Sequence, residues 1–343
     1  MNASKDPQTY CNSQGMRPDS PPMPSMINLD PPTHTRRRNL VNKGFTPRRV
    51  AEYEPRVREV CIDLIERAKA KGEFDFVRDV AAPLPMIMIG DMLGVAPADR
   101  DMLLRWSDDL ILGSSLRASP EHIEGATRAF IEYADYNRDV ITDRRAKPPQ
   151  GDLMSILVHA EIEGEKLDDD ALLQESLLIL IGGDETTRHV ISGGMYQLLR
   201  HPTQRQLLID HPATLPVAVE ELLRWVTPIQ NMARTATRDI ELRGQTIRAG
   251  EKILLLYPSA NRDEKMFTNP LSFDVTREPN YHLAFGHGTH FCLGNNLARL
   301  ELRVMFEELN QRLPHLSLVD DAPPRQRPSN FIVGIEHLPV RVG

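Results

Sequence analysis

Phe285-Gly286-His287-Gly288-Thr289-His290-Phe291-Cys292-Leu293-Gly294 is the stretch on which the reading of this chain turns. Glycines crowd the run up to one cysteine, and from Asn295 apolar residues return at helical spacing in Leu297, Leu300, Leu302 and Met305. Cys292 therefore sits in a Gly-rich loop just before a helix. Glycines let a backbone approach a large flat object closely, and amide groups at a loop-to-helix junction can stabilise a thiolate and point hydrogen bonds at its sulfur. The plainer alternative, and the commoner one for a lone cysteine, is a small buried apolar side chain in a tight turn. His287 and His290 raise zinc as a competing ligand set, but structural zinc needs four clustered ligands and no second cysteine lies nearby.

Upstream, the apolar run 177–181 meets Gly182-Gly183-Asp184-Glu185-Thr186-Thr187, and helical spacing resumes from His189 to Leu199. The glycines make room for a ligand against the helix and loosen its hydrogen-bond ladder, so an interruption inside one helix is expected rather than an end. Asp184 and Thr187 read as packing or solvent-contact residues. Glu221-Leu222-Leu223-Arg224 places an acid and a base three apart, which by itself describes any exposed helix pair. His34 and Arg38 are four apart and share a helix face.

Composition sets the frame. The chain has 343 residues, a net charge of -7 and 41% hydrophobic residues, the proportions of an ordinary globular protein. Mild acidity offers no global attraction to nucleic acid or anionic lipid, so neither is expected as a partner. The cysteines Cys11, Cys61 and Cys292 form no disulfide framework, and no apolar run approaches the roughly 18 residues that span a bilayer. A cytoplasmic protein is expected. Residues 1–32 are loop-rich, helical patterning dominates from Thr33 to about Arg224, 240–256 reads as short strands, and 331–342 reads as a closing hairpin. The fold class is mainly α with minor β, in a single domain over 1–343.

On Phe285, Gly288, His290, Cys292 and Gly294 the chain resembles the cytochrome P450 family of haem-thiolate monooxygenases. The resemblance implies haem b lying between the oxygen-activation helix and the Cys loop, with Cys292 as the axial thiolate that ligates the iron. It also implies His34, Arg38, Arg234 and His290 as propionate partners, with Phe285 and Gly294 completing the cofactor site. Glu185 and Thr186 then match the acid–alcohol pair that relays protons to dioxygen, and Glu221, Arg224 and Arg277 match a structural triad. A ferredoxin and its NAD(P)H-dependent reductase would supply electrons, drawn to the basic run Arg36, Arg37, Arg38, Lys43, Arg48 and Arg49. Relative to the family the start is short, with a helix and sheet strands missing before residues 1–15; the readings are a misplaced start, a fragment or a shortened member.

Within the family, Asp75-Phe76-Val77-Arg78-Asp79, Leu84-Pro85-Met86, 90–95, 105–109 and 182–189 resemble the actinobacterial steroid side-chain oxidases. That implies hydroxylation of the terminal side-chain carbon of a sterol such as cholesterol or cholestenone. By position Ile181, Gln230, Met232, Phe331 and Ile332 line the substrate pocket. The competing readings are a monooxygenase of a branched fatty acid or terpenoid, a peroxide-driven peroxygenase, and a non-catalytic haem or sterol binder; a retained acid–alcohol pair argues against the last two.

Overall fold

Helices begin in this chain where the sequence supplies a cap. The computed structural model describes residues 2–18, 22–114, 118–162 and 164–343, so Pro21 of the loop-rich start falls outside the described residues. In chain order the main helices are α1 (Thr33–Asn42), α2 (Glu54–Lys69), α3 (Pro83–Leu93), α4 (Arg100–Gly113), α5 (Pro120–Ala146), α6 (Asp169–Arg200), α7 (Leu215–Val226) and α8 (Asn295–Arg312). α5 opens on a reciprocal box in which the His122 amide donates to Ser119 Oγ and the Ser119 amide donates to His122 Nδ1, with Pro120 in the first turn. α6 opens on Asp168, whose carboxylate accepts from the Ala171 amide at 2.8 Å, followed by acidic residues that suit the positive end of the helix. α3 stops at Gly94, which takes φ +73° as its left-handed cap.

α6 is the central element and packs against α3, α4, α5, α7 and α8. Its Gly194 permits part of this: a Cβ there would press within 3.1 Å of both Leu222 on α7 and Phe306 on α8. One apolar core runs from Met26 to Val340, with Leu222, Leu302, Met305 and Phe306 fully buried. Truncating such side chains to alanine costs about 2–5 kcal/mol each. Among the described residues no helix is long and apolar enough to cross a membrane.

The strands are short: β1 (Tyr10–Cys11), β2 (Glu73–Asp75), β3 (Asn231–Ala236), β4 (Ile240–Leu242), β5 (Gln245–Ile247), β6 (Lys252–Leu256), β7 (Ser317–Leu318) and β8 (Pro339–Arg341). β1, β3 and β6 form one antiparallel sheet, with Arg234 opposite Ile253. β4 and β5 form a two-residue hairpin in which Arg243 and Gly244 both take positive φ, as such a turn requires. The strands expected in 240–256 are present, and β3 before them was not anticipated. The hairpin expected over 331–342 does not form. Its strand β8 pairs instead with β2 and β7, because Val340 is fully buried and its apolar partners come from distant chain, with Phe74 and Leu318 opposite it.

The Glu221–Arg224 pair is not a surface pair. Both side chains are fully buried, with Arg224 Nε and Nη2 each 2.7 Å from the carboxylate, and Arg224 also donates to the carbonyls of Asn261, Pro270 and Ser272. Arg277 Nε reaches the same carboxylate at 3.1 Å. A buried charge pair is tolerable only when such partners satisfy it. This triad ties the end of α7 to residues 261–277, and the Leu283 amide continues the chain of bonds to Asn261 Oδ1, just ahead of the cysteine loop.

Candidate functional site

The loop before α8 is shaped by its glycines. Gly286 and Gly288 take φ of +69° and +77°, and the turn closes when the Cys292 amide donates to the Phe285 carbonyl at 2.9 Å. Asn295 Nδ2 donates to the Cys292 carbonyl at 2.8 Å, so the first turn of α8 holds the loop from the other side. Cys292 faces a cavity. Burial raises its thiol pKa, while the Gly294 backbone hydrogen bond and the charges of Arg38 and Arg299 pull the other way.

The cavity spans about 1630 Å³ of empty space, counting its open mouth. Its walls come from α1, α6, β3, the cysteine loop, the start of α8 and the chain at 331–332. Of the anticipated site residues, His34, Arg38, Ile181, Thr186, Met232, Arg234, Phe285, His290, Cys292, Gly294, Phe331 and Ile332 all border it. Gln230 does not: its amide nitrogen is turned to the Thr227 and Pro228 carbonyls, while its backbone N–H donates to the Phe331 carbonyl at 2.8 Å. It places the wall instead of forming it.

One end of the cavity gathers two arginines and two histidines that have no anionic partner among the described residues. The rings of His34 and His290 stand 4.1 Å apart, and both nitrogens of His34 and Nε2 of His290 are buried without a hydrogen-bond partner. Arg234 is buried and donates to the carbonyl of Ala233, while Arg38 Nη2 donates to the Phe291 carbonyl at 2.5 Å. Burial lowers the pKa of all four, and mutual repulsion adds to this for the histidines, with His290 pushed down to about 3. Buried donors of this kind are suited to a bound dianion.

α6 presents its glycines differently from the interruption expected. It runs unbroken from Asp169 to Arg200. Gly182 faces open space, with no atom within 4 Å of where a Cβ would lie, whereas Gly183 is where α3 comes close, a Cβ there falling 2.6 Å from Ile89 Cγ1. Thr186 borders the cavity and its hydroxyl donates to the Gly182 carbonyl at 2.9 Å. Thr187 also borders it.

Asp184 is not in solvent; it is fully buried, and burial together with the adjacent Glu185 charge raises its pKa. Glu185 is also fully buried and lies outside the cavity lining, in an ion cluster with Arg188 (2.5 Å), Arg327 (2.9 Å) and His189 (3.3 Å), to which Asp108 adds a second carboxylate. Burial raises the Glu185 pKa, but the His189 hydrogen bond and the two guanidinium charges outweigh it and hold the group low. Arg188, Arg327 and Asp108 were not anticipated as neighbours of Glu185. Glu301 on α8, also not anticipated, borders the cavity and is pushed up to about 8, first by burial and then by Asp184.

The basic run does not form one patch. Arg38 turns into the cavity and Arg37 pairs with buried Glu175, leaving Arg36, Lys43 and Arg48 on the surface. Arg49 donates to the Gly151 carbonyl.

Comparison with known proteins supplies the context. The model of the Cytochrome P450 family matches residues 104–211 and 212–340. A "Steroid C26-monooxygenase" of Mycolicibacterium smegmatis is 52% identical over 340 residues, covering 99% of this chain and 84% of that protein. One of Mycobacterium tuberculosis (strain CDC 1551 / Oshkosh) is 53% identical over 341 residues, covering 99% and 91%. Among solved structures, Mycobacterium marinum cytochrome P450 CYP268A2 in complex with pseudoionone superposes with a TM-score of 0.93 at 35% identity, covering 99% of this chain and 84% of that one.

Proposed function

The chain belongs to the cytochrome P450 family, and on that premise we propose that it is a monooxygenase hydroxylating the terminal side-chain carbon of a sterol such as cholesterol or cholestenone. Membership carries with it a haem-thiolate cofactor, a lipophilic substrate and electrons from a redox partner. The observation that supports the reading best is the convergence, on one largely apolar cavity, of Cys292 with Arg38, Arg234, His34 and His290, none of which has a carboxylate partner among the described residues. Identity above 50% to steroid C26-monooxygenases over nearly the whole chain supports the substrate class.

The residues fit haem b. Cys292 would hold the iron, with the Gly294 amide supporting its sulfur, and His34, Arg38, Arg234 and His290 would take the two propionates. Phe285, with the Arg299 guanidinium 4.6 Å from its ring centre, would lie against the cofactor. When bound, the haem supplies the activation of dioxygen. Gly182 leaves room beside α6, and the Thr186 hydroxyl holds a proton at the cavity wall. Glu185 would replenish that proton from the Asp108 end of its ion cluster, where the carboxylate is partly exposed. Ile181, Met232, Phe331 and Ile332 present an apolar wall that orients the lipid and excludes water.

We assign a ferredoxin and its reductase as electron donors, with exposed Arg36, Lys43 and Arg48 as steering charges, and a cytoplasmic setting, in keeping with three unpaired cysteines. The single apolar core supports one functional domain over the chain.

A reduced, carbon-monoxide difference spectrum tests the site. The wild type is expected to show a thiolate-type Soret band that Cys292→Ser abolishes, and cholestenone, not a long branched fatty acid, should shift the iron from low to high spin. Absence of the thiolate band in the wild type overturns the reading.

A further inference from the structure

One wall of the cavity is irregular chain, contributing Asn12, Met16, Met26 and Ile27. Much of its bonding is internal. Asp30 accepts from the Asn12 and Ser13 amides, Asn12 Nδ2 donates to the Ile27 carbonyl, and Asn28 Oδ1 accepts from the Met16 amide. Its bond to the central helix is of another kind: the Met26 amide donates to Glu175 Oε1 on α6 at 2.8 Å. The same oxygen takes Arg37 Nη1 at 3.2 Å, and that nitrogen also donates to the Pro24 carbonyl at 2.8 Å.

Glu175 is fully buried, its second oxygen has no hydrogen-bond partner among the described residues, and it lies outside the cavity lining. It sits seven residues, about two turns or 10 Å, before Gly182, on nearly the same helix face. Burying a half-satisfied carboxylate is costly, and packing alone would be served better by an apolar side chain. What the carboxylate does here is bind two separate pieces of chain, residues 24–26 and α1, to the helix that carries Leu178, Ile179, Ile181 and Gly182 of the cavity.

We infer that Glu175 is a positioning residue that determines ligand specificity: by anchoring Met26 and Arg37 to α6 it fixes the cavity wall against which a lipophilic ligand packs. The cavity then accepts lipids that match this wall and rejects those that require it to move. The inference rests on the cavity being the ligand site proposed above, while the anchor is read independently from backbone exchange.

The test compares wild type, Glu175→Leu, Glu175→Gln and Met26→Pro as full-length holoprotein. Leucine removes the acceptor and the charge. Glutamine keeps an acceptor for the Met26 amide. Proline deletes the donor while leaving the carboxylate in place, and it suits this position, the first of a 3-10 turn after extended Ser25. Hydrogen–deuterium exchange over residues 22–30 should rise tenfold or more in Glu175→Leu and Met26→Pro, with glutamine restoring most of the protection. The ratio of dissociation constants for cholestenone and a long branched fatty acid, read from the Soret shift, should fall at least tenfold in Glu175→Leu and recover in Glu175→Gln while the thiolate band is kept; Met26→Pro, which also removes a lining side chain, is read by exchange alone. Unchanged exchange in both variants overturns the anchor, and faster exchange with an unchanged ratio reduces Glu175 to a structural role. A missing thiolate band in the wild type overturns the monooxygenase reading instead, so the two failures are distinguishable.

Discussion

Gly182 and Gly183 are adjacent on α6, yet replacing each with alanine should act in opposite directions. Alanine in a helix interior is favoured over glycine by about 1 kcal/mol. At Gly182 nothing lies within 4 Å of the new methyl, so Gly182→Ala should gain about 0.5–1 kcal/mol of stability in the ligand-free protein. The methyl then occupies ligand space, and overfilling of about 1–3 kcal/mol corresponds to about 5- to 150-fold in the dissociation constant. At Gly183 the methyl would fall 2.6 Å from Ile89 Cγ1 and closer still to its terminal methyl. Ile89 is buried, and a β-branched residue on a helix has one favoured χ1, so the Cγ1 atom cannot swing aside. Net of the propensity gain, an overpacking cost of about 1–3 kcal/mol leaves Gly183→Ala losing up to about 2 kcal/mol. Combining it with Ile89→Ala should cost less than the sum of the single changes by about 1–2 kcal/mol. Urea denaturation followed by far-UV circular dichroism gives the stabilities, and Soret titration gives the affinities. If Gly182→Ala loses more than about 1 kcal/mol, or Gly183→Ala is neutral and uncoupled to Ile89, the assignment of α6 faces is wrong.

Other outcomes follow from the same geometry. Arg224→Met leaves buried Glu221 with Arg277 as its remaining guanidinium partner and should cost about 3–5 kcal/mol in urea denaturation; a loss under 1 kcal/mol contradicts the triad's structural role. Arg234→Gln removes a buried charge that lacks an anionic partner among the described residues, so the haem-free protein should keep or raise its melting temperature while the holoprotein releases haem faster to a haem-scavenging globin; equal haem retention contradicts its role as a propionate partner. Glu301 titrates near 8 in the fold and at an ordinary carboxyl value when unfolded. Its protonated form is favoured by folding, so its contribution is present below about pH 4.5 and is lost as pH rises toward 8. Glu301→Gln should therefore gain about 1 kcal/mol or more relative to wild type between pH 5 and pH 8.5, and parallel stability curves for the two proteins would refute the buried neutral carboxyl.

What could be read along the chain was what local spacing controls. The cysteine loop was legible because positive-φ glycines and a helix start are properties of neighbouring residues, and the Glu221–Arg224 pair because three residues bring side chains together on a helix. Its burial was not legible, since that depends on carbonyls at Asn261, Pro270 and Ser272 arriving from elsewhere. The closing hairpin was misread for the same reason: β8 carries strand-like alternation, and alternation does not say which strand pairs with it.

The residues Asp184, Glu185, Thr186 and Thr187 show the division most clearly. Sequence alone determined that an acid and a hydroxyl sit together past two glycines on a helix. Successive residues on an α-helix point about 100° apart, so four adjacent polar side chains leave in four directions, and nothing in their order says which direction meets a ligand. Only packing decided that. α3 closes over the side of Gly183 where a Cβ would lie, the chain carrying Arg327 closes on Glu185, and Gly182, Gly183, Thr186 and Thr187 border the cavity. Composition and spacing name the chemistry a segment can perform; which of its side chains meets the ligand is set by the surfaces that distant segments cover.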